Sequence, residues 1–186
     1  MAFFKSLKKY SDNDLINLIL LSDSKAFEEL VSRYETQLYS FCIYIIKDET
    51  EAKDMVQETY LKFYKNISNF DPEKKVKAFL FKIANNLCID FLRKKKPVYY
   101  DNLPETDFFE NPVDILCKNQ EEKILYLSIE KLPELYKKVL LLKYKADLKY
   151  SEIGEILGKT ENSIEALLVR AKKKLREILD NSDFQD

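Results

Sequence analysis

The sequence predicts an all-α protein made of two small helical domains joined by an extended linker. The 186-residue chain contains only 2 Gly and 5 Pro, and it is rich in Lys, Glu and Leu, which keep most of their rotamer freedom in a helix. Apolar residues recur at spacings of three and four along most of it, the period of an amphipathic helix. Pro97, Pro104 and Pro112 fall close together and preclude a continuous helix between the two domains.

Four helices are predicted in the N-terminal block. The first two begin at the N-cap candidates Ser11–Asp12 and Ser22–Ser24, and Lys47–Asp48 ends the second. The third runs from about residue 49 to 67 and the fourth from about 76 to 95, with the turn sequence SNFDPEKK between them. Amphipathic helices joined by short loops form a bundle.

The C-terminal block is predicted to contain a helix-turn-helix. A helix opens at Leu132–Glu134, with Pro133 near its first turn, where proline is tolerated. A short helix then ends at Gly158, and Thr160 is the predicted N-cap of a longer one. Two helices joined by a Gly-containing turn are typical of DNA-binding proteins, although a generic helical hairpin has the same pattern. The distal basic residues favour DNA: they are Arg170, Lys172, Lys173, Lys174 and Arg176.

Charge is distributed unevenly along the chain. The total is −1, but residues 1–96 carry a net +3, residues 97–130 a net −6 and residues 131–180 a net +4. Two basic blocks flanking an acidic one suggest a polyanionic partner for the ends and a different task for the middle.

The composition excludes several classes of protein. With no histidine, the chain can build neither a Ser-His-Asp nor a Cys-His nucleophile, and it has no imidazole metal ligand. Cys42, Cys88 and Cys117 are too far apart for a C-x-x-C site, which favours free thiols in a reducing compartment. No long apolar run is present, and residues 1–10 are too polar for a signal peptide. We therefore expect a cytoplasmic protein with no cofactor, metal or membrane insertion.

The third predicted helix contains an acidic pair within the segment DMVQETYLKFY. Asp54 and Glu58 are four residues apart and share one helix face, with Gln57 beside them. Like charges at this spacing repel mildly. A solvated acidic face is the simple interpretation, and a surface for a basic partner is the functional one.

The fourth predicted helix contains a basic stretch, KAFLFKIANNLCIDFLRKKK. Six basic residues and one acid, Asp90, lie between Lys77 and Lys96, and the aromatic residues Phe79, Phe81 and Phe91 are interleaved with them. Such a groove suits single-stranded nucleic acid, because phosphates meet Lys and Arg while bases stack on rings at about 1–3 kcal/mol each. A core stripe followed by lysines at a helix C-terminus gives the same composition. Phe81 is the informative position, since it lies off the main apolar stripe.

The acidic linker spans residues 97–118, between a domain at 1–96 and one at 119–180, with an acidic tail at 181–186. It carries aromatic residues that are unusual for a solvated spacer, so it either enters a basic channel or packs on its own domains. These residues are Tyr99, Tyr100, Phe108 and Phe109.

Taken together, these motifs resemble bacterial RNA polymerase sigma factors of the sigma-70 family, specifically the extracytoplasmic-function (ECF) type. The resemblance covers roughly residues 10–180 and is carried by DMVQETYLKFY, FLFKIANNLCIDFLRKKK, LPELYKKVLLLKY and YSEIGEILGKTENSIEALLVRAKKKLR, in the family's order and spacing. It implies a region 2 helical bundle, a variable linker and a region 4 helix-turn-helix.

The resemblance implies three partners and assigns residues to each surface. The partners are bacterial core RNA polymerase, promoter DNA (single-stranded at the −10 element and duplex at the −35 element) and an anti-sigma protein. Core-polymerase-binding residues are Asp54, Gln57, Glu58, Tyr60 and Leu61. The −10 residues are Asn69, Phe70, Lys75, Lys77, Phe79, Lys82, Asn85, Asn86, Arg93 and Lys94. The −35 residues are Lys159, Thr160, Asn162, Ser163, Glu165, Ala166, Arg170 and Lys173.

The sequence departs from the family pattern at a few positions. Phe79 stands where Trp is usual, so stacking ability remains and the indole donor is lost. Gly154 replaces a usual Ala. In the recognition helix, Glu165 and Ala166 suit a cytosine amine and a thymine methyl, whereas Leu167 makes no hydrogen bond.

Three other functions compete with that of a sigma factor. A stand-alone helix-turn-helix regulator would bind duplex DNA without polymerase. An enzyme using the carboxylates of Asp54 and Glu58 lacks any metal spacing or nucleophile in support. A sigma-like protein that occupies polymerase without melting DNA is the remaining alternative.

Overall fold

The computed structural model describes residues 7–71, 75–94 and 119–182 of the chain. All regular structure in these ranges is helical, which confirms the predicted fold class. The predicted linker at 97–118, Cys117 and the last four residues of the acidic tail lie outside the described residues.

In the described ranges 7–71 and 75–94, four α-helices form the N-terminal bundle, close to the predicted positions. Side-chain caps begin three of them: Ser11 forms a reciprocal capping box with Asp14, while Asp23 and Asp48 accept hydrogen bonds from the first turns of the next two. Lys47 ends the second helix in the left-handed conformation, at φ 61°. The helices are α1 (Asp12–Leu20), α2 (Ser24–Ile46), α3 (Glu49–Asn66) and α4 (Val76–Lys94).

The bundle core combines aliphatic side chains with several aromatic ones. Phe41, Phe63 and Phe81 are fully buried, and the rings of Phe41 and Phe81 meet edge to face at 5.3 Å. At this informative position, burial therefore favours the core interpretation of the basic stretch over base stacking. Phe81 packs between α4 and α2, because α4 is covered by other helices over more of its circumference than its main apolar stripe predicts.

Between residues 119 and 182, four further helices form the C-terminal unit. The first was not predicted as a separate helix, since its apolar residues form no single stripe: Tyr126 and Ile129 are buried, while Ile124, Leu125 and Leu127 are exposed. Asn119 caps it, accepting from the Glu122 amide at 2.8 Å. The helices are α5 (Gln120–Glu130), α6 (Glu134–Leu140), α7 (Tyr150–Leu157) and α8 (Glu161–Ser182), with a π-helical turn at Leu141–Lys145 after α6.

The predicted helix-turn-helix is formed by α7 and α8. Gly158 ends α7 at φ 65°, a conformation that side chains with a Cβ rarely adopt. The Thr160 hydroxyl accepts from the Ser163 amide at 3.3 Å, as expected of an N-cap. The turn is also closed by the Lys159 amide, which donates to the Gly154 carbonyl at 2.9 Å.

The two units pack directly against one another. Helix α4 lies against α7, and α2 lies against the π-helical turn. The rings of Tyr44 and Tyr126 are 4.7 Å apart, and Lys47 forms an ion pair with Glu130. The sequence predicted the two units and the linker between them, but carried no sign of this packing.

Candidate polymerase and nucleic-acid interfaces

Helix α3 presents the predicted acidic pair on one face. Asp54 and Gln57 are exposed and Glu58 is half-buried. Neither carboxylate has an ion-pair partner in the described part of the chain. Leu61 follows on the same face with 53% of its surface exposed, whereas Tyr60 turns inward and donates to the Val31 carbonyl at 3.1 Å. The face therefore combines unpaired negative charge with exposed apolar surface.

An apolar groove of about 570 Å³ runs beside this face, between α3 and the α1–α2 connection. Phe27 forms one wall, with its ring 6.2 Å from that of Tyr60 and 5.3 Å from that of Tyr64. Leu20 and Leu21, at the end of α1, are exposed nearby. Sequence reasoning missed the α1 and α2 contribution to this surface. The pair Leu20–Leu21 could have indicated this surface. Two leucines beside a polar turn are not expected to be buried, so they predict an exposed apolar patch.

The predicted single-strand face lies on α4 and the turn before it. Phe79 is half-buried in an aromatic cluster, 6.1 Å from the ring of Phe63 and 5.4 Å from that of Phe70. Lys77 and Lys82 are half-buried. Exposed members of the predicted set are Asn69, Lys75, Asn86, Arg93 and Lys94.

The structure does not bring Asn85 to that face. Its side chain is 2% exposed inside the bundle, and its Oδ1 atom accepts no hydrogen bond from any of the described residues. Asn86, the next residue, provides the exposed amide. Arg93 lies near the end of α4, where its guanidinium is 3.7 Å from the Asp90 carboxylate in an exposed pair.

The C-terminal unit partly covers the α4 face. A groove of about 270 Å³ separates Lys75, Phe79 and Lys82 on one side from Glu152 and Glu155 of α7 on the other. Burial lowers the pKa of Lys77, against the opposing pull of the carboxylates of Asp147 and Glu152. Acidic groups of one unit thus face basic groups of the other.

The recognition helix α8 displays its predicted residues at its N-terminal end. An open depression of about 380 Å³ includes Ala166, which is half-buried, and the buried Leu167. Leu167 is 8% exposed and belongs to the core, which accounts for an apolar residue at this point of the helix. The predicted residues that lie exposed are Lys159, Thr160, Asn162, Ser163, Glu165, Arg170 and Lys173.

Comparison with known proteins identifies both units. Residues 30–98 match the family model of Sigma-70 region 2, and residues 122–175 match that of Sigma-70, region 4. The chain is 32% identical over 176 residues to the ECF RNA polymerase sigma factor SigW of Bacillus subtilis (strain 168), covering 88% of this chain and 94% of SigW. It is an ECF sigma factor of the sigma-70 family. SigM of the same organism is also 32% identical, over 80% of this chain and 92% of its own length.

Solved structures agree with the fold of this sigma factor. The structure of CnrH in complex with the cytosolic domain of CnrY has a TM-score of 0.71 at 24% identity and covers 91% of this chain and 97% of that one. The sigma factor RpoE, crystallised with the anti-sigma factor NepR from Bartonella quintana, has a TM-score of 0.66 at 19% identity, covering 84% and 98%. At these identities the likeness shows the shared fold alone.

As a sigma factor, the protein functions in transcription initiation and binds DNA through its region 2 and region 4 units. Within the described ranges, no three His, Cys, Asp or Glu side chains are grouped so that they could hold a metal ion. None of the helices described is long and apolar enough to cross a membrane.

Proposed function

We propose that this sigma factor binds core RNA polymerase through the α3 face and the groove beside it. The observation that carries this assignment is the unpaired acidic pair, Asp54 and Glu58, beside an open apolar groove. Apolar surface supplies most of the binding free energy of such an interface, while charge selects a basic partner and fixes orientation. Exposed Leu61 and Tyr64 would be the residues buried on docking.

The two DNA elements are assigned to different units. The α4 face, with Lys75, Phe79 and Lys82, would bind the single-stranded −10 element, with the neighbouring turn holding an extruded base. The exposed N-terminal end of α8, with Asn162 and Ser163, would read the duplex −35 element in the major groove. Arg170 and Lys173, further along that helix, would contact phosphates.

The domain plan follows from these assignments. Residues 1–96 form the polymerase- and −10-binding domain, residues 97–118 the linker and residues 119–180 the −35-binding domain. The protein acts in the bacterial cytoplasm, where its polymerase is, and performs no chemistry of its own. An anti-sigma protein is a proposed further partner, since related structures are of CnrH with CnrY and of RpoE with the anti-sigma factor NepR.

Reversal of the acidic pair tests the polymerase surface. We expect the double variant Asp54→Lys/Glu58→Lys to abolish co-elution with bacterial core polymerase, because two attractions become repulsions at a desolvated contact. Its circular dichroism spectrum should be unchanged, since neither side chain supports a neighbour within the described chain.

The matched control carries the same charge change at two exposed sites that do not line the groove, Glu121→Lys/Asp180→Lys. This control should co-elute with core as the wild type does. Equal retention of core by both double variants would refute the α3 assignment. Binding of promoter duplex by a protein that never associates with core would instead favour a stand-alone regulator.

A further inference from the structure

Two of the three cysteines meet inside the N-terminal bundle. Cys42 of α2 and Cys88 of α4 are free thiols, and neither has any exposed surface. They are 46 positions apart in the sequence, yet a hydrogen bond joins their side chains. Because a hydrogen bond requires the two sulfur atoms to be in contact, the fold builds a buried pair of thiols from distant parts of the chain.

The packing of α2 against α4 supports a cross-link at this pair. The rings of Phe41 and Phe81 meet at 5.3 Å, one residue before Cys42 on α2 and about two turns before Cys88 on α4. Phe81 and Cys88 therefore lie on the same face of α4, towards α2. A disulfide needs Cα atoms about 4.4–6.8 Å apart, a separation typical of directly packed elements. The thiols thus need only a small further approach of their sulfur atoms.

We propose that Cys42 and Cys88 form a reversible disulfide when the protein meets a peroxide. One thiolate sulfur attacks an oxygen of hydrogen peroxide, the O–O bond breaks, and the departing hydroxide takes up a proton and becomes water. The second thiol then attacks the sulfur of the resulting sulfenic acid, the S–O bond breaks, and a second water leaves. Two electrons pass from the sulfur atoms to the peroxide, and both thiol protons end in water.

The surroundings of the pair limit how fast it reacts. The attacking species is the thiolate, but the hydrogen bond with Cys88 and burial both raise the pKa of the Cys42 thiol. Neither side chain is exposed in the folded bundle. Oxidation therefore requires a transient opening between α2 and α4, and the finished disulfide is sheltered from reductants in the same way. The pair gives a slow and persistent response to oxidant.

The disulfide would close a loop between residues 42 and 88. This stretch contains all of α3 and most of α4. A cross-link removes conformational entropy from the unfolded chain, so the folded bundle becomes more stable relative to it. The bond would also hold the helices that carry the α3 and α4 faces in fixed positions relative to α2. Disulfides that form in a reducing compartment are usually transient and redox-sensing, which suits a bond of this kind.

The test uses the full-length chain with Cys117→Ser, which leaves Cys42 and Cys88 as the remaining cysteines. The folded protein is treated with hydrogen peroxide, alkylated and digested with trypsin without reduction. We expect mass spectrometry to find the tryptic peptides 34–47 and 83–93 joined, with the loss of two hydrogens, and dithiothreitol to separate them. The melting temperature should rise by about 10 °C on oxidation and return on reduction.

The matched controls are Cys42→Ala and Cys88→Ala in the same background. Each keeps one of the two buried thiols, so neither can form the cross-link and peroxide should not raise its melting temperature. Each variant is compared with itself before and after oxidation, which removes any effect of the substitution on stability. Circular dichroism checks that the variants fold, and the joined peptides in the parent protein decide the proposal without them.

Two outcomes would overturn the proposal. The first is recovery of separate, unjoined peptides after an exposure long enough for the amide hydrogens around both cysteines to exchange, because the helices would then have opened without the thiols pairing. The second is a cross-link that forms only in urea above the unfolding transition, where distant cysteines meet by chain diffusion. Neither readout involves polymerase or DNA, so the result is independent of the proposed function.

Discussion

At the scale of single residues, Gly154 shows how a departure from the family pattern follows from local geometry. A Cβ atom added there would lie 2.6 Å from the carbonyl oxygen of Lys159, far inside van der Waals contact. The same turn needs the Lys159 amide to bond the Gly154 carbonyl. Glycine at position 154 therefore lets the turn between α7 and α8 pack closely against α7.

We expect Gly154→Ala to lower the free energy of unfolding by about 1 kcal/mol. Alanine gains about 1 kcal/mol in helix propensity, but overpacking against backbone costs about 1–3 kcal/mol. Urea denaturation measures the difference, and Ser151→Ala, at an exposed position of α7, is the control. A variant as stable as the wild type would show that the turn relaxes freely.

Sequence predicted those residues whose role is local. Ser11, Asp23 and Thr160 cap helices, and Gly158 takes a positive φ, because these roles depend on a few adjacent residues. The side chains of Phe81, Asn85 and Leu167 were harder to place. Their burial depends on which second helix covers them, and helical periodicity alone carries no such information.

At the scale of elements, α4 both packs into the core of the bundle and presents basic residues outside it. Phe81 and Leu80 anchor it in the core, while Lys82 and Arg93 lie on its outer side. Its basic stretch was predicted correctly as a helix, but the covering helix α7 was not predicted. Helix α5 was not predicted, because the exposed apolar residues Ile124, Leu125 and Leu127 hide the helical periodicity of its buried residues.

Lys82→Ala/Arg93→Ala tests the strand surface of α4. We expect weaker promoter opening and a shallower dependence on salt, by about 0.7 in log–log slope for each single-strand phosphate that the variant no longer neutralises. The measurement is the observed affinity of holoenzyme for a promoter with an unpaired −10 element, across a salt series. Lys8→Ala/Lys9→Ala, at exposed sites before α1, should leave the slope unchanged. An unaltered slope in the first variant would move the phosphate-binding residues elsewhere.

At the scale of the whole molecule, burial of titratable groups sets an alkaline limit on stability. Burial raises the pKa of Tyr34 and of Tyr60, and Tyr34 also donates to Asp12. A hydrogen bond with Cys88, together with burial, raises the pKa of the Cys42 thiol. The folded state therefore keeps protons that the unfolded state releases at lower pH.

The resulting stability should be complete below the ordinary thiol pKa of 9.0 and should decline as pH rises through the ordinary tyrosine pKa of 10.0. The decline continues towards the raised folded-state pKa values. Urea denaturation from about pH 8 to about pH 10.5 measures it. Tyr60→Phe should flatten the decline, while Tyr64→Phe, at an exposed position, should leave it unchanged. A stability that does not fall across this range would contradict the burial of these groups.

The packing of the two units against one another could not be predicted from the sequence, for a physical reason. The ion pair between Lys47 and Glu130 joins residues 83 positions apart, and its partners are ordinary surface types. The charge pattern showed that the sequence blocks differ in net charge. It did not show whether opposite charges pair within this molecule or with a partner molecule. Only the fold decides which lysines face carboxylates and which remain for DNA.

The most direct test of the account is run-off transcription with purified bacterial core polymerase on the DNA upstream of this protein's own gene. We predict a discrete start site that appears only when the protein is present and disappears with Asp54→Lys/Glu58→Lys. Failure of the wild-type protein both to co-elute with core and to produce any transcript would contradict the central claim that its surfaces serve polymerase-dependent initiation.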